Sequence, residues 1–142
     1  MDDLIKEFLV ESHENLDRID RDLVALEQHP GSGDLQSSIF RTLHTIKGSC
    51  GILGLVRLEA VTHAAESLLS KVTLGDVPVC ADVVTALLRT VDAVREILAA
   101  LEATGEEGER AYDTLLEQLN ALQGNGVPVV ATTDASDAAP AS

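Results

Sequence analysis

His44 lies in the stretch FRTLHTIKGSCGILGL, residues 40–55, followed closely by Lys47, Gly48 and Gly51. Neutral imidazole is nucleophilic and carries an unprotonated nitrogen in useful amount near pH 7. Its attack on a γ-phosphate yields a phosphoramidate that an aspartate on another protein can accept. For that chemistry one ring nitrogen must react while the other keeps its proton and a partner. A carboxylate suits this role, because it fixes the tautomer and stabilises the positive ring that forms. Further along the chain Glu59 and Glu66 offer such a group, with Thr62 and His63 nearby. Glu66 is the favoured candidate.

On a helix turning about 100° per residue, Leu35, Ile39, Leu43, Ile46, Cys50 and Leu53 fall within an arc of about 80° that must face a core. His44 points roughly 145° from the centre of that arc, and so outward. Gly48 lies one turn below it on the same face and Gly51 two turns below. A glycine inside a helix costs about 1 kcal/mol relative to alanine. Two of them beneath an outward histidine make sense where another molecule must approach the imidazole, although helix packing can also call for small residues. Between Asp34 and Glu59 there is no carboxylate, while Arg41, Lys47 and Arg57 remain. In a chain of net charge −14 this makes an island of positive potential suited to a dianionic phosphoryl group. His13 and His29 have no such surroundings and read as solvated; His63 is intermediate.

Five helices can position these residues, and no β pattern competes. The first is expected over about 2–28, ended by His29-Pro30-Gly31. The second, about 35–53, enters after Asp34 as a plausible N-cap and stops at Gly54. The third runs over about 55–74 to Gly75, and the fourth over about 81–103 with a stripe at Val84, Leu87, Val91, Val94, Leu98 and Leu101. A shorter fifth, about 109–122, offers Ala111, Leu115, Leu119 and Leu122. Matched lengths and short connections predict an all-α fold, an up-down antiparallel four-helix bundle with an additional C-terminal fifth helix. The domain is expected over residues 1–123. Residues 124–142, rich in Ala, Ser, Thr, Asp and Pro, read as a flexible linker toward downstream domains.

Composition agrees. The chain is 45% apolar but has only Phe8, Phe40 and Tyr112 as aromatics, so aliphatic side chains must fill the core, as packed helices allow. The negative charge speaks against nucleic acid and anionic membrane as partners. Cys50 and Cys80 form no CxxC pair, which points to reduced thiols in a cytoplasmic protein. No apolar run approaches the roughly 20 residues of a membrane span, and MDDLIKEF does not read as a signal peptide. A monomer without membrane insertion is expected.

FRTLHTIKGSCGILGL resembles the phosphoacceptor motif of the N-terminal histidine-phosphotransfer (HPt) domains of bacterial CheA chemotaxis histidine kinases. EFLVESHENLDRIDRDLVALE and VTHAAESLLSKVTLGDVPV look like the first and third helices of the same domain, so the resemblance covers about residues 2–122. It implies that His44 is phosphorylated through Nε2 while Glu66 holds Nδ1. By the same resemblance Lys47 and His63 join the polar network and Gly48 clears the approach. Ser49 and Cys50 stand where many members have glycine and alanine. The resemblance further implies that ATP and Mg are bound by a separate kinase domain, and that the phosphoryl group passes to CheY- or CheB-like response regulators. Arg41, Gly48 and Gly51 are then the candidate partner-binding residues. No GxxxxGK(S/T) loop or glycine-rich ATP lid is present, so the chain alone is expected to hold no cofactor and to act as a carrier within a two-component system.

Three rivals compete. A free-standing HPt protein of a multistep phosphorelay would use the same chemistry. A carboxylate-bridged metal bundle needs Glu-x-x-His pairs, and no Glu here has a His three residues on, so no metal is expected. An inert helical adaptor would leave His44 idle.

Overall fold

The computed structural model describes residues 3–124 as five α-helices: α1 Asp3–Gln28, α2 Gly33–Leu53, α3 Val56–Thr73, α4 Ala81–Thr104 and α5 Asp113–Leu122. No strand occurs among the described residues. The linker expected after residue 124 lies outside them.

Each helix exists because an apolar stripe recurs at helical spacing and finds a neighbour. On α2 the inward stripe is Ile39, Leu43, Ile46 and Cys50, all buried, while Leu35 and Leu53 at its ends are half-buried. Leu16, Leu23 and Leu26 of α1, Leu58 and Leu68 of α3, and Leu98 of α4 are fully buried against them. Each such side chain contributes roughly 1.5–3 kcal/mol of burial. Phe8 is the one aromatic ring within this buried core.

α1 packs on α2 and α4, and α3 on the same two, which closes a four-helix square with sequence neighbours side by side. The short connections make those neighbours antiparallel. Ser38 Oγ donates to Asp22 Oδ2 at 2.8 Å between α2 and α1. Arg95 on α4 reaches Asp17 at 3.1 Å and Asp20 at 2.6 Å on α1. α5 docks on α3 and α4 through buried Leu115 and Leu119, and does not touch α2. Among the described residues the outward face of α2 therefore stays uncovered.

Helix ends correct the sequence reading in two places. The N-cap of α2 is Ser32, whose hydroxyl accepts from Leu35 N at 3.3 Å. Asp34 lies inside the first turn, where its charge favours the positive end of the helix dipole. α5 begins at Asp113, after the expected Glu109, because Tyr112 takes a left-handed φ of 57°. Arg110 and Tyr112 both bind Glu96 of α4, at 2.8 and 2.6 Å, which holds this segment as a strap. Ala111 is consequently exposed, not part of the core. Gly54 closes α2 with φ 73° and an N–H directed to Cys50 O, a cap that a side chain would strain.

Candidate histidine phosphotransfer site

His44 is on the uncovered face of α2, with its side chain 63% exposed. Its Nδ1 contacts Oε2 of Glu66, which comes from α3 and is only 8% exposed. The other carboxylate oxygen, Oε1, lies 2.6 Å from Lys47 Nζ. One carboxylate thus joins two residues of α2, and the packing of α3 on α2 supplies the geometry. Burial alone would raise the Glu66 pKa, but hydrogen bonds from Lys47 and His44 outweigh it and hold the group below the ordinary glutamate value. Glu66 is therefore ionised at neutral pH. An ionised carboxylate accepts only, so Nδ1 must donate, and in the neutral ring Nε2 carries the lone pair. That nitrogen is the free end of an exposed ring.

Phe40, one turn before His44, lies parallel to it with ring centroids 6.2 Å apart and planes 8° from parallel. The sequence reading passed over this residue, although the four-residue spacing on one helix was the signal that could have found it.

Gly48 and Gly51 are exposed. A Cβ at Gly48 would have nothing within 4 Å, and one at Gly51 would meet only Glu59 Oε2 at 3.6 Å, an ordinary contact. Packing inside the bundle therefore demands glycine at neither position. Glu59, the other candidate carboxylate, lies beside Gly51 and makes no hydrogen bond with His44.

Three expectations need correction. The resemblance puts His63 in the polar network; in the structure it is exposed and forms no hydrogen bond or ion pair among the described residues. The positive island is smaller than the sequence implied. Arg57 donates to Gly108 O, and Lys47 is engaged by Glu66, which leaves exposed Arg41 as the cation of the three whose side chain has no partner among the described residues. His13, expected to be solvated, is half-buried beside Glu102, 3.6 Å away; His29 is exposed.

Other residues frame the site. Glu107 accepts from the backbone N–H groups of Arg57 and Leu58, each at 3.0 Å, and so caps the N-terminus of α3 from the α4–α5 loop. Leu55 at the N-cap position provides no side-chain bond of its own. Cys50 is buried and its thiol is pushed up to about 12 by burial, then by the charges of Glu59 and Glu107. A buried thiol held protonated in this way is a packing residue. Among the described residues no group of three or more His, Cys, Asp and Glu side chains could hold a metal ion. No helix there is long and apolar enough to cross a membrane.

Comparisons with known proteins agree with this geometry. The Hpt domain family matches residues 3–125. The sensor histidine kinase CheAY of Helicobacter pylori is 35% identical over 121 residues, covering 83% of this chain and 15% of its own length. The chemotaxis protein CheA of Halobacterium salinarum is 29% identical over 144 residues, covering 97% of this chain and 21% of its own. The chain thus spans about a fifth or less of these curated relatives. Among solved structures, the phosphorylated P1 domain of CheA3 in complex with CheY6 from R. sphaeroides matches with TM-score 0.80 at 27% identity, covering 87% of this chain and 98% of that one. The solution structure of the histidine phosphotransfer domain of CheA matches with TM-score 0.77 at 24% identity, covering 85% and 92%, a likeness of fold. With an outward imidazole held through Nδ1, a helical fold shared with CheA P1 domains and a family match over all the described residues, the chain belongs to the Hpt domain family of histidine phosphotransfer domains.

Proposed function

We propose that His44 is the phosphoacceptor of a CheA-type two-component kinase and that this chain carries its phosphoryl group. The Nε2 lone pair attacks the γ-phosphorus of ATP, the bond from phosphorus to the bridging oxygen breaks, and ADP leaves. ATP and Mg are held by a separate kinase domain. The imidazole now carries positive charge, and the proton on Nδ1 remains shared with Glu66, whose negative charge stabilises the ring. An aspartate carboxylate of a CheY- or CheB-like regulator then attacks phosphorus, the P–N bond breaks, and its electron pair returns to Nε2.

In this reading Glu66 sets the tautomer and Lys47 holds Glu66 in place. Gly48 and Gly51 leave room for each partner, and Arg41 contributes positive potential near the transferred group. His63 has no assigned step. The placement is cytoplasmic, where ATP and regulators are available.

The observation that carries the proposal is the pairing of His44 Nδ1 with a buried carboxylate while the rest of the ring faces solvent. Incubation with a cognate kinase domain and ATP should label the chain on one residue, with the acid-labile, base-stable bond of a phosphoramidate. His44→Gln should abolish labelling without unfolding the bundle. A mutant that labels normally would overturn the reading.

A further inference from the structure

The contact with Glu66 restrains the imidazole without locking its plane, because a hydrogen bond tolerates a range of angles. Rotation about the Cβ–Cγ bond of histidine lies in a broad well, so within that tolerance the ring could still tilt about this bond. Such a tilt would swing Nε2 through space while the bond to Glu66 persisted. Phosphoryl transfer in line requires that lone pair to aim at phosphorus along a narrow approach, so tilt translates directly into lost productive encounters.

Phe40 supplies the missing restraint. It is one helical turn before His44 on α2, and its ring runs parallel to the imidazole within 8°. Phe40 is half-buried and packs against the hydrophobic core, so its own orientation is set by neighbours outside the site. No other aromatic residue lies beside the ring among the described residues. A leucine here could fill much of the same apolar space but would present no flat face.

We propose that Phe40 is a positioning residue for phosphotransfer, its core-anchored ring holding the plane of the His44 imidazole so that Nε2 is presented in one direction. This rests on the reading of His44 as phosphoacceptor. The two restraints divide the work: Glu66 sets the tautomer and charge, and Phe40 sets the plane.

The division is testable on the whole chain. Phe40→Leu, checked for retained helicity and melting, should lower kcat for phosphorylation by a cognate kinase domain about tenfold with KM unchanged. Its pH profile should keep the wild-type shape, because Glu66 still holds Nδ1. Phe40→Tyr, which restores a flat ring, should recover most of the rate. Without any phosphorylation, the NMR signals of the His44 ring protons should shift in Phe40→Leu through loss of the aromatic ring current, and return toward wild type in Phe40→Tyr. Wild-type kcat in Phe40→Leu, a rise in KM in place of a fall in kcat, or no recovery with tyrosine would each overturn the proposal. So would His44 ring signals that do not respond to residue 40. A wild-type chain that is not labelled on His44 would sink the phosphoacceptor reading and this proposal together, whereas normal labelling with unaltered Phe40→Leu kinetics would sink this proposal alone.

Discussion

Lys47 Nζ lies 2.6 Å from Glu66 Oε1, so the carboxylate that holds the His44 ring is itself held. A nearly buried carboxylate is costly unless it is paired and hydrogen-bonded. Here both oxygens are occupied, one by each residue of α2, and the charge is kept where the imidazole needs it.

The first prediction follows from that shared carboxylate. Glu66→Ala should slow phosphorylation of His44 by about one to two orders of magnitude, the scale of a lost acid–base partner, as read from initial rates with a kinase domain. An unchanged rate would remove Glu66 from the mechanism.

The same pair predicts a pH dependence of stability. The folded-state pKa of Glu66 lies below the ordinary value of 4.5, with burial opposing the shift and the bonds from Lys47 and His44 outweighing it. A depressed carboxylate contributes stability that is present above its unfolded pKa and lost as pH falls through the folded one. The difference in melting temperature between wild type and Glu66→Gln should therefore be largest near neutrality and shrink in acid. A difference that stays constant with pH would contradict this.

Gly48 separates clearance from packing. Because nothing lies within 4 Å of a Cβ built there, Gly48→Ala should fold and gain up to about 1 kcal/mol of helix stability in denaturant titrations. Gly48→Phe should also fold, yet transfer to a regulator should fall markedly. Equal transfer rates in both variants would leave the glycine without a functional reason.

Much of this was legible in the sequence, and what was not depended on distant neighbours. Ile39, Leu43, Ile46 and Cys50 repeat at helical spacing, so the inward face of α2 and the outward direction of His44 followed from the chain alone. Glu66 could be chosen because a carboxylate on the next helix suits an imidazole. The partner of Arg57 could not be foreseen, since it is a backbone carbonyl at Gly108, contributed by a loop remote in sequence. The late start of α5 hinges on Glu96 capturing Arg110 and Tyr112, a tertiary contact that overrides a helical pattern. His63 shares a helix with Glu66 but is exposed and unpaired among the described residues, which a motif match does not reveal.

Glu107 offers a test of that long-range architecture. It caps two N–H groups of α3 that have no side-chain cap nearby. Glu107→Ala should cost about 1 kcal/mol of stability, measured by thermal or denaturant unfolding. A loss near zero would mean that water replaces the carboxylate at no cost.

The most direct test of the central claim is to locate phosphorus on the ring. The phosphorylated chain, made with nitrogen-labelled histidine, can be examined by long-range proton–nitrogen NMR correlation. The phosphoryl group is predicted on Nε2 of His44, with Nδ1 still protonated and facing Glu66. Phosphorus on Nδ1, on His63 or on any other residue would contradict the account.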